Sequence, residues 1–171
     1  MAIKLFKNNK GYSMVELLIY VSLMAVIILV VVNTVISFTK TYKEVGALRA
    51  VEHSANDAME RMTRDIRAAS TITNAYSTLG TSPGVLTIVA TANTVSTTTK
   101  FYIQNNILKM DINGVYYGPL SLSNAQVTNL VFNDLNSGIS HAVKIDMTIQ
   151  ATVGTITKTK TYHSTIILRG Q

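Results

Sequence analysis

The sequence predicts an α+β chain: one long N-terminal helix, apolar in its first half and amphipathic in its second, packed against a mostly antiparallel β-sheet head. Three observations lead there. Residues 17–36 contain no charged side chain, apolar residues between 48 and 69 recur at helical spacing, and beyond residue 70 the chain turns to Thr, Ser, Val, Asn and Gly. The composition agrees. Only 14% of the 171 residues are charged, against roughly a quarter in ordinary soluble domains. There is no cysteine, which excludes a disulfide framework, a thiolate zinc site and a lipidated cysteine.

The expected organisation is a basic leader over 1–11, a membrane-spanning helix over 12–38, its amphipathic continuation over 39–70, and a β-rich head over 71–171. The leader carries Lys4, Lys7 and Lys10 and no acid. The whole chain has 15 basic and 9 acidic residues; setting those three lysines aside leaves 12 against 9, so half of the net charge of +6 sits in the first ten residues. Such a tag predicts a cytoplasmic N-terminus rather than a nucleic-acid surface. The apolar run that follows, LLIYVSLMAVIILVVVNTVI, would span about 30 Å as a helix, the hydrocarbon thickness of a bilayer. It runs on into VNTVISFTKTYKEV without a small-x-small cleavage site, so the expectation is a retained anchor and not a removed signal peptide.

The residues leading into the anchor read Gly11-Tyr12-Ser13-Met14-Val15-Glu16-Leu17-Leu18. A carboxylate at the start of a membrane run is costly, about 2.5–3.5 kcal/mol at a helix centre and less near the interface. A plain anchor has no use for it, so Glu16 is expected to have a function and a partner. With these residues the sequence resembles the type IV prepilins and the pseudopilins of type II secretion systems. Their signature is a basic leader ending in Gly, an aromatic or apolar first mature residue, and Glu as the fifth; it falls here on Gly11, Tyr12 and Glu16. The resemblance implies a pilin-like fold in the bacterial inner membrane, single-pass, with the head periplasmic or otherwise extracytoplasmic. It implies that a prepilin peptidase cuts Gly11–Tyr12 and methylates the new Tyr12 amine. It also implies that Glu16 pairs with that amine on a neighbouring subunit, and that other pilins and an inner-membrane assembly platform are the partners. Two departures are the Tyr at the first mature position, where Phe is commonest, and Asn33, where major pilins often have Pro.

Beyond the anchor, Leu48, Val51, Ala55, Met59, Met62, Ile66 and Ala69 mark one helix face, and Glu60–Arg64 and Arg61–Asp65 have the i,i+4 spacing of ion pairs. Gly46 is the expected soft point. The closing block Met62-Thr63-Arg64-Asp65-Ile66-Arg67-Ala68-Ala69 resembles the minor pseudopilins lettered J in secretion systems and W in pili.

In the head, Pro83-Gly84 marks a turn before a strand over 85–91. Asn105-Asn106 is a hairpin turn between strands 100–104 and 107–111, and Asn113-Gly114 is the strongest hairpin signal. A strand is expected over 127–132. Val143, Ile145, Met147 and Ile149 alternate with polar residues along a half-buried strand, and a turn at 153–155 leads into a last strand over 156–168. Six to eight strands result.

Other chemistry finds little footing. His53, His141 and His163 lack metal-ligand spacing, and Asp111-Ile-Asn113-Gly114 lacks the further acids of a calcium loop. No cofactor, metal or catalytic residue is expected, and the chain is not expected to be an enzyme. Lys158 and Lys160, with Lys144 and Arg169, suggest a basic strip, but edge lysines also guard against strand pairing, so nucleic acid is not an expected partner. The sequence therefore favours a minor pilin-like structural subunit of a type II secretion or type IV pilus machine. Its rival is a membrane-anchored extracytoplasmic protein whose β-rich head binds a ligand or DNA.

Overall fold

A computed structural model describes residues 11–92, 94–136 and 141–169. The leader lysines Lys4, Lys7 and Lys10 lie outside the described residues. One long helix, α1 (Met14–Ala68), is followed by eight strands: β1 (Thr71–Ile72), β2 (Leu86–Ala92), β3 (Val95–Gln104), β4 (Ile107–Ile112), β5 (Val115–Pro119), β6 (Ala125–Asn136), β7 (His141–Val153) and β8 (Ile156–Ile167). The architecture is α+β with antiparallel sheets. By contact density the chain divides into two compact units, Met1–Thr41 and Tyr42–Gln171.

The first unit contains the apolar part of α1. Over eighteen residues its mean hydropathy reaches 2.9, and none of that window is covered by the rest of the chain. It is long and apolar enough to cross a membrane. Its hydroxyls are turned inward on the helix: Ser22 donates to the Ile19 carbonyl at 2.8 Å, Thr34 to Val30 at 2.7 Å and Thr39 to Val35 at 2.9 Å. In hydrocarbon these donors find no water, so bonding back to the helix removes most of their cost.

The second unit is the head together with the last part of α1. Two sheets, ordered β1-β2-β3-β4-β5 and β6-β7-β8, are antiparallel throughout. Asn105 and Asn106 both adopt positive φ, 55° and 58°, and so do Asn113 and Gly114, 51° and 78°. These are two-residue hairpin turns of the type whose twist matches the flanking strands, and they set the registers Gln104↔Ile107 and Ile112↔Val115. A two-residue turn at 154–155, with only Gly154 at positive φ (64°), closes β7 onto β8 in the register Val153↔Ile156. Along the outer face of β7 and β8, Thr148 meets Thr161 at 3.0 Å and Thr152 meets Thr157 at 2.9 Å, cross-strand pairs of the kind that pin register.

Both sheets share one core with the helix. Val51, Ala55, Ala58, Met62 and Ile66 of α1 join Leu86, Ile88, Phe101, Leu108 and Met110 of the first sheet and Phe132, Val143, Ile145, Met147 and Ile149 of the second. The alternation expected for β7 is present, with Val143, Ile145, Met147 and Ile149 all fully buried.

The buried face of α1 differs from the expected one in two places. Leu48 is 40% exposed and Met59 only half-buried at the rim, while Ala47, Ser54 and Ala58 are buried instead. Small side chains let the strands approach the helix closely, so the seam follows alanines rather than the bulkiest apolar residues. Gly46 is no break: α1 runs through it, and a Cβ there would touch the Val153 methyls at 3.9–4.0 Å. Arg61 and Asp65 form the expected ion pair at 2.8 Å. Among the described residues none joins Glu60 to Arg64, whose guanidinium lies 3.9 Å from Asp65. At the start of the first sheet, a Cβ on Gly84 would come within 2.9 Å of the Leu130 carbonyl and 3.1 Å of the Phe132 ring, so glycine permits the 83–84 turn to lie on β6.

Phe132 is fully buried at the meeting of helix and sheets. Phe132→Ala is expected to destabilise the head by about 3–5 kcal/mol, read as a lowered urea midpoint for the full chain in detergent micelles. A loss below about 1 kcal/mol would contradict the packing described.

Candidate functional site

The residues singled out in the sequence lie together at the start of α1. Gly11, Tyr12 and Ser13 precede the helix, and the first helical hydrogen bond runs from the Leu17 N–H to the Ser13 carbonyl at 3.1 Å. Glu16 therefore falls in the first turn, where the positive end of the helix dipole favours a carboxylate. Gly11 and Tyr12 are exposed, and among the described residues a Cβ on Gly11 would meet nothing within 4 Å. The described part of the fold places no demand for glycine at that position.

Glu16 has a partner within its own helix that its motif does not announce. Ser13-Met14-Val15-Glu16 has the spacing of a capping box, in which the Glu side chain would turn back to the Ser N–H. Instead the Tyr20 phenol O–H donates to Glu16 Oε1 at 3.1 Å. Helical side chains lean toward the N-terminus, so a long side chain at i+4 reaches down onto residue i. That spacing was the available signal. Tyr20 sits inside a run so apolar that its one hydroxyl reads first as an interfacial ring.

Further along the same unit, Val30, Asn33, Thr34, Ser37, Phe38 and Thr41 line an open notch on the helix surface. The Thr34 and Thr41 hydroxyls are already engaged with the Val30 and Ser37 carbonyls.

In the head, the lysines of the suspected basic strip are engaged. Lys158 lies 3.3 Å from Glu44, and Lys160 3.1 Å from Glu52, so both tie β8 to α1. The Lys160 ammonium also lies 5.4 Å from the centre of the Tyr162 ring. Its pKa is raised, first by the hydrogen bond to Glu52 and then by the neighbouring Tyr162. Lys144 pairs with Asp146 at 3.2 Å. Lysine–aromatic pairs occur on the first sheet as well, Lys100 with Tyr102 and Lys109 with Tyr116.

The residues 62–69 divide by face. Met62, Ile66 and Ala69 are in the core, Arg64 and Arg67 border a shallow hollow with Met59 and Thr63, and the Arg67 carbonyl accepts from the Arg169 N–H at 3.1 Å. Arg61 lies over the Tyr117 ring.

Each histidine faces one carboxylate: His53 with Asp57 at 2.8 Å, His141 with Asp134 at 3.8 Å, and His163 with Asp146. Among the described residues no group of three or more His, Cys, Asp or Glu is placed to hold a metal ion. Asp111 accepts from the Tyr102 hydroxyl at 3.0 Å, and the Asn113 side-chain oxygen accepts from the Thr98 N–H at 2.8 Å, so both serve the hairpin.

The His163 ring and the Lys144 ammonium hold the Asp146 carboxyl below the ordinary carboxylate range, the hydrogen bond from His163 contributing most. A carboxyl depressed on folding contributes stability that is complete above its unfolded value and is lost as pH falls through the folded one. The full chain in micelles is expected to lose melting temperature as pH falls below the unperturbed value of 3.8, and Asp146→Asn to show a shallower acid limb. Superimposable acid limbs would remove Asp146 from the account. No protein-family model, curated protein or solved structure matches this chain.

Proposed function

We propose that this chain is a minor pilin-like subunit, a pseudopilin of a type II secretion or type IV pilus machine, which acts by assembly and not by catalysis. The observation that carries the reading is a carboxylate, Glu16, at the head of an uncovered apolar helix long enough to cross a bilayer, five residues after Gly11. The precursor sits in the inner membrane with Lys4, Lys7 and Lys10 on the cytoplasmic side. A prepilin peptidase removes residues 1–11, leaving 160 of the 171, and methylates the Tyr12 amine. The helix then leaves lipid for a bundle of like helices under the assembly platform. Apolar area is conserved in that exchange, so side-chain packing and polar pairs decide the register. Glu16 and a neighbour's amine suit that role, because opposite charges brought together in an apolar bundle relieve each other's desolvation.

The free side of Gly11 supports the processing reading. Since no described residue gives a steric reason for glycine there, the requirement falls to an enzyme that must admit the bond. The β head then chooses neighbours. Engagement of Lys158 and Lys160 by Glu44 and Glu52 lowers the charge available to a polyanion and speaks against the anchored DNA-binding alternative.

Co-expression with an active prepilin peptidase is expected to shorten the intact mass by residues 1–11 and add one methyl group at Tyr12. Gly11→Val should block both changes. Glu16→Ala should still insert and be cleaved, yet be absent from filaments. An unchanged wild-type mass, beside a peptidase active on another prepilin, would overturn the assembly reading in favour of the anchored binding protein.

A further inference from the structure

The assembly reading leaves open how a carboxylate waits in the membrane for an amine on another subunit. We propose that Tyr20 is the positioning residue of Glu16: its phenol O–H holds Oε1, so that the second oxygen, Oε2, is presented to the terminal amine of a neighbouring subunit. The inference rests on the assembly reading above.

Three observations support it. The hydrogen bond is present in the single chain, 3.1 Å from Tyr20 Oη to Glu16 Oε1, so the holder comes before the neighbour. It occupies one oxygen only; among the described residues Oε2 has no hydrogen-bond or ion-pair partner. Among the described residues both Glu16 and Tyr20 are exposed on the helix surface, with Tyr12 and Leu17 beside Tyr20, which leaves the carboxylate open to the approach of a second subunit. The physical chemistry follows. A carboxylate accepts several hydrogen bonds at once, and a hydrogen bond to a charged group is among the stronger ones. A phenol donor thus lowers the cost of the charge in the bilayer without neutralising it, and it fixes the carboxylate's χ angles before the ion pair forms. Elsewhere in the apolar run Ser22 and Thr34 spend their hydroxyls on backbone carbonyls. Tyr20 spends its own on the carboxylate just ahead of the run.

The test uses the full chain in its native cells, as wild type, Glu16→Ala, Tyr20→Phe, and a version carrying 4-aminophenylalanine at position 20, whose ring amine donates from the same place. Cleavage is read by intact mass, and assembly by the fraction of cleaved chain recovered with filaments. All four are expected to lose residues 1–11 equally. Tyr20→Phe should fall about tenfold or more in filament recovery, the loss of one hydrogen bond to a charge, and 4-aminophenylalanine should restore most of it. Full recovery of Tyr20→Phe alongside absence of Glu16→Ala would overturn the role of Tyr20 and leave the assembly reading standing. Equal loss in Tyr20→Phe and the 4-aminophenylalanine version would overturn it too, since donation would then be irrelevant. An uncleaved wild type, or Glu16→Ala recovered like wild type, would remove the assembly reading and this inference with it.

Discussion

The head depends on one seam. Two sheets that share no strand pairing in their ladders become a single core where both bury their inner faces on Val51, Ala55, Ala58, Met62 and Ile66 of α1, with the Val127 N–H bonding across to the Asn106 carbonyl at 2.8 Å. Alanines along that seam bring the strands close, and the large residues, Met62, Phe101 and Phe132, fill the space between. Polar ties follow the same line: the Leu122 N–H donates to the buried Ser54 hydroxyl at 3.1 Å, and Lys158 and Lys160 close β8 onto Glu44 and Glu52. The helix gives both sheets a common second layer to pack on, as a stable domain needs.

The apolar run of the same helix answers to a different solvent. Its side chains are left uncovered, the hydroxyls of Ser22 and Thr34 are folded back on the backbone, and the acid just ahead of it sits in the first turn with the Tyr20 phenol donating to it. In water this surface would be a liability; in a bilayer or a bundle of like helices it is a matched one. The proposed function follows from that division. One stretch of sequence is selected for what surrounds it outside the chain, and the other for what it packs against inside.

How much of this was legible depended on how local the cause is. The hairpins at Asn105-Asn106 and Asn113-Gly114 were, because two residues able to adopt positive φ fix the turn by themselves. The alternation of Val143, Ile145, Met147 and Ile149 was, because a period of two admits one buried face. The exchange of Leu48 and Met59 for Ala47 and Ala58 was not, because the choice lies with the strands opposite, and nothing in the helix announces that they approach closely. The ties from Lys158 and Lys160 to Glu44 and Glu52 join residues more than a hundred positions apart and leave no local pattern. The candidate site divides likewise: Gly11, Tyr12 and Glu16 stand in a motif, whereas Tyr20 emerges only when a side chain's lean along the helix is drawn.

Two glycines set opposite terms for drift in the sequence. A side chain at position 84 would run into the backbone of β6, so that glycine can change only if a strand moves with it, whatever the protein does. At position 11 no described residue would meet a methyl group. If the proposed processing holds, copies of this chain that had lost it would keep the first glycine and be free to change the second, so position 11 would record the end of processing while position 84 recorded the upkeep of the fold.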